Sequence, residues 1–328
     1  MFVRARHFAF ELGTVPPIFR RVPEPHPREI SAATKLCAVF GHPIHHSASP
    51  AMQNAGLAAL GLDWRYVAGE VHPDDLRAAI DGARAMKFVG LNLTVPHKLL
   101  AVGMVDELDE SARVWGAVNT IRFEARDAEG RWVSLGGIHG PINGPVHARG
   151  FNTDADAITR SLREDLGLEP HGARVLLLGA GGAGRVAALK LAAEGVAHLF
   201  LVNRTARKAE EIATEIRARH GRTEVTVGYP TGAIDLVLNA TSLGLKHDDL
   251  LPFDPEKFRL MQAAAAYDMV YRPAVTPFLA AAKTAGCQVA NGLGMLLYQG
   301  AKALEIWSGK AAPVAVMRRA LEQNIYGR

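Results

Sequence analysis

A dinucleotide-binding pattern lies near the middle of this chain of 328 residues instead of at its start. Residues 174–178 (RVLLL) are predicted to form a short buried strand. This strand runs directly into residues 179–184 (GAGGAG) and then into an alanine-rich helix to about Glu194. In such a unit the glycines let the backbone approach a pyrophosphate, which the N–H groups of the helix N-terminus bind. The pattern alone can also be an ordinary turn, but the flanking strand and helix favour a nucleotide site. The residues before it must then form a separate unit with another task.

The composition is that of an ordinary globular chain with room for two domains. Hydrophobic residues make up 48% of it and charged residues 21%. A net charge of +4 suits anionic small molecules, and no basic run predicts nucleic-acid binding. The only cysteines are Cys37 and Cys287, which fits a reducing compartment and argues against a zinc cluster. No apolar run reaches the ~18 residues of a membrane span, so we expect a cytoplasmic protein without a membrane partner.

Residues 1–34 are predicted to be a loosely attached extension. They contain arginines and scattered aromatic residues without a long apolar segment, so they do not resemble a secretory signal. Acidic residues also make them a poor transit peptide. Pro23, Pro25 and Pro27 then favour an extended backbone, and we assign this segment no function.

From Lys35 onward, predicted strands and helices alternate. This alternation predicts a mainly parallel sheet, whose ligands bind at the carboxyl ends of the strands. The predicted strands are residues 36–40, 64–67, 88–93 and 117–123. The predicted helices are residues 50–60, residues 73–84 and a segment that follows Lys98 and runs to about Leu100 and beyond. Ser49 is the predicted N-cap of the first helix. Polar residues that follow the strands are therefore the first candidates for a functional site.

Three polar clusters follow predicted strands. Ser47 and Ser49 precede a helix, where two hydroxyls either hold a carboxylate or simply cap and turn the chain. Histidines lie nearby, but a proline-broken loop gives poor ligand geometry, so we predict no metal. Residues 92–98 (NLTVPHK) end in a lysine that is either a surface residue or a functional amine. Residues 152–154 (NTD) end in an aspartate that either caps a helix or serves a site. Their combination ahead of a nucleotide-binding unit favours function.

These motifs resemble those of the shikimate dehydrogenase family, in the same order and over about residues 35–326. Beyond the three clusters and the glycine turn, the resemblance rests on GAVNT at residues 116–120, NRT at 203–205, NATS at 239–242, YDMVY at 267–271 and NGLGM at 291–295. Each motif is modestly specific, but together they leave little room for another family. The resemblance implies an α/β chain of two domains: an N-terminal α/β substrate domain and a doubly wound Rossmann-type NADP domain.

The resemblance also implies an activity. This is reversible hydride transfer between NADPH and the ring ketone of 3-dehydroshikimate, giving shikimate on the way to chorismate and aromatic amino acids. Lys98 and Asp154 would be the catalytic dyad. Reduction of a ketone places negative charge on its oxygen, so a proton donor must lie within hydrogen-bonding distance. Which dyad member carries the proton is not readable from sequence. The implied substrate-binding residues are Ser47, Ser49, Thr94, Lys98, Asn119, Asp154, Tyr271 and Gln299; for the last two, a core tyrosine and a helix-surface glutamine are the alternatives.

The residues after the second strand of the nucleotide unit favour NADP over NAD. NAD enzymes usually carry an acid about 20 residues past the glycines, where it binds the ribose 2′-hydroxyl. This chain has Arg204, Arg207 and Lys208 there instead, which suit a 2′-phosphate, although Arg207 alone is also explained as a solvated helix residue. The implied cofactor-binding residues are Gly179, Ala180, Gly181, Gly182, Ala183, Asn203, Arg204, Thr205, Lys208, Thr241, Met269 and Gly292.

The predicted substrate domain is residues 35–155 and the predicted nucleotide domain is residues 156–292. Helices in residues 295–326 are expected to pack back on the first domain, because Gln299 reaches a substrate only in that arrangement. The active site is then the cleft between the domains, and its closure excludes water.

Two departures from the family bear on the substrate. Residues 124–150 are a longer Gly-, His- and Pro-rich stretch than usual, expected to be a hairpin extension with a flexible tip or to reshape the entrance. Asp156 stands where a small residue is common. The alternative enzyme is a quinate/shikimate dehydrogenase, often using NAD, and the alternative from another class is a catalytically silent regulatory relative. A homodimer is compatible with the sequence, which does not settle the oligomeric state.

Overall fold

The computed structural model describes residues 29–246 and 248–327, so most of the predicted extension, residues 1–28, lies outside the described residues. Within those ranges the chain forms one sheet of seven strands and then one of six. The first sheet contains β1 (Lys35–Gly41), β2 (Trp64–Glu70), β3 (Gly90–Leu93), β4 (Glu107–Leu108), β5 (Thr120–Arg126), β6 (Trp132–Ser134) and β7 (His147–Phe151). The second contains β8 (Arg174–Leu178), β9 (His198–Val202), β10 (Glu224–Val227), β11 (Ile234–Asn239), β12 (Ala263–Asp268) and β13 (Gln288–Asn291).

Ten α-helices connect and cover these strands in the described ranges. They are α1 (Ser49–Ala59), α2 (Leu76–Ala85), α3 (His97–Leu100), α4 (Glu110–Trp115), α5 (Asp154–Leu166), α6 (Gly182–Ala193), α7 (Ala206–Arg219), α8 (Pro277–Thr284), α9 (Leu293–Ser308) and α10 (Val314–Tyr326). Across residues 29–246 and 248–327, no helix has both the length and the apolar composition to cross a membrane.

The first sheet is mixed, so the prediction of a mainly parallel sheet is wrong for this part. Its order is β2-β1-β3-β5-β7-β4, with β6 paired to β5. β2, β1 and β3 run parallel, whereas β5 lies antiparallel to both β3 and β7. The direction of a strand depends on where the preceding connection packs, which hydrophobic alternation does not encode. The predicted polar clusters nevertheless follow β1, β3 and β7 at one edge of this sheet.

The second sheet is entirely parallel, and its order β10-β9-β8-β11-β12-β13 is that of a doubly wound Rossmann-type domain. The predicted fold class is therefore confirmed. Leu176, Leu177 and Leu178 of β8 have no exposed surface, because a separate apolar core packs on each face of the sheet. The strand order reverses between β8 and β11, so the crevice for a ligand opens where these two strands end.

The middle of residues 124–150, around Leu135 and Gly136, packs at the end of the first sheet away from the polar clusters. Lys35, the first residue of β1, donates a hydrogen bond from Nζ to the Leu135 carbonyl (2.7 Å). Gly136 lies so close to Trp64 and Trp307 that a methyl group there would overlap both. Because β1 meets this segment at its start and the polar clusters at its end, the structure favours the hairpin interpretation over a role at the entrance.

The last two helices return to the first sheet and pack on α1. Their shared core contains Met52 and Leu57 of α1, Leu297 and Leu304 of α9, and Met317 of α10, each at most 2% exposed. α9 starts directly after β13 of the second sheet and ends in this core. It therefore links the two units, and so does α5, which leads from β7 to β8.

Candidate active site

Lys98 and Asp154 form an ion pair at the edge where the polar clusters meet. Lys98 lies in α3, directly after β3, and Asp154 is the first residue of α5, which follows β7. Lys98 Nζ and Asp154 Oδ2 are 2.7 Å apart, and the two side chains are 31% and 9% exposed. The fold thus joins two residues that are 56 positions apart.

The Asp154 carboxylate is not used to cap its own helix. The side-chain oxygen of Asn152 accepts the backbone N–H groups of Asp154 (3.1 Å) and Ala155 (3.2 Å). These bonds satisfy donors in the first turn of α5 that have no helical partner. The capping alternative therefore applies to Asn152, and the Asp154 carboxylate is directed to Lys98.

A cavity of about 210 Å³ opens beside this pair, between the two sheets. Seven of the eight predicted substrate-binding residues line it, namely Ser47, Ser49, Thr94, Lys98, Asp154, Tyr271 and Gln299. Ala183, Met269 and Gly292 of the predicted cofactor set line it from the side of the second sheet. The structure thus gathers both predicted sets around one space.

Ser47 and Ser49 place two hydroxyl groups where α1 begins. The helix starts at Ser49 itself, and the N-cap position is Ala48, without a side-chain capping bond, so the predicted capping role of Ser49 is wrong. Its backbone N–H instead bonds to Ser47 Oγ (3.3 Å). Since residue 48 already adopts helical backbone angles, Ser49 lies inside the first turn, and its side chain faces the cavity. This favours the ligand-binding alternative.

Asn119 lies behind the cavity wall. Its side-chain oxygen accepts the backbone N–H of Thr153 (2.8 Å), and its amide donates to the Thr153 hydroxyl (2.9 Å). Asn119 therefore braces the turn just before Asp154. Asn92 lines the cavity instead, and our site prediction omitted it. The sequence could have identified Asn92, because Thr94 was already a candidate. Side chains two positions apart in an extended segment face the same side, so Asn92 was expected to face the site as well.

Tyr271 and Gln299 enter the cavity from the loop after β12 and from α9. Gln299 Nε2 donates to the Leu296 carbonyl of its own helix (2.8 Å), so its side-chain oxygen is left for a ligand. Burial raises the pKa of the Tyr271 phenol. The hydroxyl therefore stays protonated near neutral pH and can donate a hydrogen bond.

The glycine turn lies between β8 and α6. Gly179 has a φ of +107°, a backbone conformation that favours glycine, and Gly184 lies so close that a methyl group on it would overlap the Gly179 carbonyl. Asn203, after β9, accepts the Ala180 N–H at 3.0 Å and so braces the turn. α6 begins at Gly182 without a side-chain cap, which leaves first-turn N–H groups for a ligand. This geometry fits a pyrophosphate.

The predicted 2′-phosphate residues lie where β9 ends. Arg204, Thr205 and Lys208 are exposed. Arg207 pairs with Glu211 of its own helix (3.6 Å). Within the described part of the chain, Arg204 and Lys208 lie in no ion pair, so their charges are available to an anion. Arg207 therefore differs from Arg204 and Lys208, because its charge is already paired within α7. This favours the alternative that Arg207 is a solvated helix residue.

A second cavity, of about 1080 Å³, adjoins the first on the side of the second sheet. The residues that line both are His46, Thr94, Ala183, Met269 and Tyr271. Thr241 lies in the wall of the second cavity, and its hydroxyl donates to Asn239 Oδ1 (2.7 Å). Gly292 approaches the Met269 carbonyl so closely that a methyl group would overlap it. A ligand spanning both cavities would reach the Lys98–Asp154 pair.

A buried carboxylate, Asp268, supports the loop that lines both cavities. It accepts hydrogen bonds from the Thr276 hydroxyl (2.6 Å), the Val270 N–H (3.0 Å) and the Asn239 side-chain amide (3.0 Å). Burial raises the pKa of Asp268 to about 6, and the three hydrogen bonds oppose that change only in part. This network ties the ends of β11 and β12 to the loop that carries Met269.

No metal site was predicted from the sequence, although histidines lie near Ser47 and Ser49. His45 and His46 meet edge to face, with ring centroids 5.6 Å apart. Over residues 29–246 and 248–327, no group of three or more His, Cys, Asp or Glu side chains is arranged to hold a metal.

Three family models match the chain in sequence order. They are the shikimate dehydrogenase substrate binding domain at residues 39–121, shikimate / quinate 5-dehydrogenase at residues 162–242, and the shikimate 5′-dehydrogenase C-terminal domain at residues 292–322. The matches therefore fall on the first sheet, on the second sheet and on the returning helices.

Individual proteins match over nearly their whole length. A shikimate dehydrogenase (NADP⁺) from Moorella thermoacetica is 42% identical over 305 residues, which are 90% of this chain and 95% of that protein. A solved shikimate dehydrogenase in complex with NADP⁺ has a TM-score of 0.76 at 34% identity, covering 90% and 98% of the two chains. A ligand-free 5-ketofructose reductase of Gluconobacter sp. strain CHM43 has a TM-score of 0.73 at 35% identity, covering 90% and 100%. By these matches, the chain belongs to the shikimate dehydrogenase family.

Proposed function

We propose that this protein reduces 3-dehydroshikimate reversibly to shikimate with NADPH, a step toward chorismate and the aromatic amino acids. The observation that carries the proposal is the 2.7 Å pair of Lys98 and Asp154 in a cavity between a substrate unit and a nucleotide-binding sheet. The family of the chain and the names of its NADP⁺-dependent relatives support the same activity.

The polar side chains of the smaller cavity suit a carboxylated, polyhydroxylated ring. Ser47 and Ser49 would hold the carboxylate. Thr94, Tyr271, Gln299 and the added Asn92 would bind the ring hydroxyls. Asn119 acts, in this proposal, through the Thr153 turn that positions Asp154. A site that hydrogen-bonds a hydroxyl can reject an analogue lacking it by ~10⁴-fold.

The residues at the second sheet fit NADP. The turn of Gly179, Ala180, Gly181, Gly182 and Ala183 would hold the pyrophosphate, braced by Asn203. Arg204, Thr205 and Lys208 would bind the 2′-phosphate, since two free cations replace the acid expected with NAD. Thr241, Met269 and Gly292 would line the nicotinamide side. When bound, NADPH supplies the hydride.

Lys98 would supply the proton. Addition of a hydride to a ketone carbon leaves negative charge on the oxygen, and a proton from Lys98 Nζ completes the hydroxyl group. The reverse reaction returns that proton to the amine as the hydride leaves. Asp154, only 9% exposed, holds the ammonium group in place through Oδ2. A charge-assisted hydrogen bond of this kind is strong because little water competes for it.

We also propose that residues 35–155 together with residues 295–326 act as the substrate domain, and residues 156–292 as the NADP domain. One apolar core consists only of residues of the first unit and another only of residues of the second, which supports this division. A homodimer and a cytoplasmic location remain predictions. Light scattering on the purified chain tests the first, and the two free, buried cysteines are compatible with the second.

The test follows nicotinamide absorbance with purified protein, offering shikimate and quinate in turn, each with NADP⁺ and with NAD⁺. We expect strong turnover only with shikimate and NADP⁺. Comparable turnover of quinate, or a preference for NAD⁺, would instead support the quinate/shikimate alternative. A parallel assay with 5-ketofructose and NADPH tests the activity of the Gluconobacter relative. Lys98→Ala should abolish shikimate oxidation while shikimate still binds; near-wild-type turnover of this variant would overturn the dyad assignment.

A further inference from the structure

A buried chain of hydrogen bonds joins β12 to α5 outside the two cavities, at a point where α9 packs closely on α5. The Tyr267 hydroxyl and Ser161 Oγ are 2.8 Å apart, and Ser161 Oγ donates to Asp165 Oδ2 at 2.6 Å. Tyr267 and Ser161 have no exposed surface. The Tyr267 phenol of β12 is therefore anchored to α5, and Gly294 of α9 packs against the same Ser161 and Asp165 side chains.

The hydrogen bonds of this chain can be formed with only one arrangement of protons. A hydroxyl has a single proton to donate, and Ser161 gives its proton to the Asp165 carboxylate. Tyr267 must then donate to Ser161 Oγ. Burial raises the pKa of Tyr267, so the phenol keeps this proton. Arg318 of α10 completes the chain from the other side of Asp165, at 3.4 Å.

The helices α5 and α9 approach each other closely at this point. A methyl group on Gly294 of α9 would overlap both Ser161 Oγ and Asp165 Oδ2. Water therefore has no room to replace a lost hydrogen bond unless the two helices move apart. Loss of the Tyr267 hydroxyl would leave the buried Ser161 Oγ without its hydrogen-bond donor, which favours such a movement.

Each of the three elements that meet around Tyr267 and Ser161 carries part of the proposed active site. α5 begins with Asp154, β12 leads into Met269, and α9 bears Gln299. Ser161 is seven residues after Asp154 on α5, a distance of about 10 Å along the helix axis. A helix tilt of about 5° at Ser161 would move Asp154 by about 1 Å, and a misplacement of that size can cost ~10²-fold in rate.

We propose that Tyr267 is a positioning residue for the reaction, whose hydrogen bond to Ser161 sets the place of Asp154, and so of Lys98, relative to Met269. This inference rests on the proposed function. Tyr267 is not a catalytic residue, because it lies behind the cavity walls and touches neither substrate nor cofactor.

The test removes this bond from either side. Tyr267→Phe deletes the hydroxyl and keeps the ring, and Ser161→Ala deletes its partner. Tyr229→Phe is the matched control, because its hydroxyl accepts the Asp254 N–H (2.8 Å) within the second unit and contacts neither α5 nor α9. For each variant with shikimate and NADP⁺, we would measure kcat, KM and the primary deuterium isotope effect, using shikimate deuterated at the carbon that is oxidised.

We expect Tyr267→Phe and Ser161→Ala to lower kcat about 10-fold, with a larger isotope effect, because hydride transfer slows. KM for shikimate should change less than about 2-fold, since Ser47, Ser49, Asn92 and Thr94, which lie outside α5 and α9, keep their places. The double variant should lose no more than Ser161→Ala alone, because Ser161→Ala already removes the hydrogen bond between Ser161 and Tyr267. Tyr229→Phe should behave as wild type.

Two results would overturn the proposal while leaving the function intact. In the first, Tyr267→Phe has the same kcat and the same isotope effect as Tyr229→Phe. In the second, kcat falls in Tyr267→Phe and in Ser161→Ala only in proportion to the fraction of folded protein, as measured by near-ultraviolet circular dichroism. Wild-type protein inactive with shikimate would instead overturn the proposed function.

Discussion

The buried carboxylate Asp268 makes the stability of this protein depend on pH in a direction opposite to that of most acidic groups. Burial raises its pKa from 3.8 to about 6, so the folded protein binds this proton more tightly than the unfolded chain does. The free energy of unfolding therefore falls as the pH rises through this interval, and the contribution levels off above about pH 7. At about 1.4 kcal/mol per pH unit, the whole interval amounts to about 3 kcal/mol.

The variant Asp268→Asn removes this titration. Urea unfolding of the wild type and the variant should be compared from about pH 4.5 to about pH 7.5, where the linkage relation gives a change of about 2 kcal/mol in their stability difference. The wild type should lose stability relative to the variant as the pH rises, whatever fixed offset the amide introduces through its altered hydrogen bonds.

Asp249→Asn is a control for the sign. This carboxylate accepts the N–H groups of Gly244 (2.8 Å) and Lys246 (3.0 Å), and these backbone hydrogen bonds lower its pKa. Its stabilisation is complete above the ordinary pKa of an aspartate and is lost only as the pH falls below it, so its stability difference should be flat over the same range. A flat difference for Asp268→Asn as well would refute the reasoning, because the carboxylate would then titrate alike in the folded and unfolded chains.

Four further substitutions test other parts of the structure. Arg204→Gln and Lys208→Gln should each raise KM for NADPH about 10-fold or more while changing KM for NADH little, as steady-state kinetics with both cofactors can check, since each removes a charge-assisted hydrogen bond of about 1.5–3 kcal/mol. Gly184→Ala should weaken NADPH binding, measured by calorimetry, without weakening shikimate binding, because its methyl group would push α6 away from the Gly179 carbonyl. Lys35→Met should lower the free energy of unfolding by about 1–3 kcal/mol in urea while leaving kcat unchanged, because it leaves the part-buried carbonyl groups of Leu135 and Ile138, far from the active site, without this donor.

Short motifs predicted the parts of the site that depend on local geometry. The turn from Gly179 to Gly184 could be located because only glycine tolerates its backbone and its close helix contact. Lys98 and Asp154 could be nominated because each stands where a strand has just ended, and the carboxyl edge of a sheet collects ligands. The direction of β5 and the starting residue of α1 were predicted wrongly, since both depend on packing beyond the segment itself.

The sequence by itself determined the doubly wound second sheet, the nucleotide turn, the family and the residue types available for the chemistry. Each of these depends on residue patterns within segments of a few tens of residues. Only the tertiary structure decided which atoms meet. It turned the Asp154 carboxylate to Lys98 and gave the capping role to Asn152, and it joined Tyr267 to Ser161 across 106 positions. Such contacts form when separate helices and strands pack against one another, and the distances between their side chains exist only after that packing is complete.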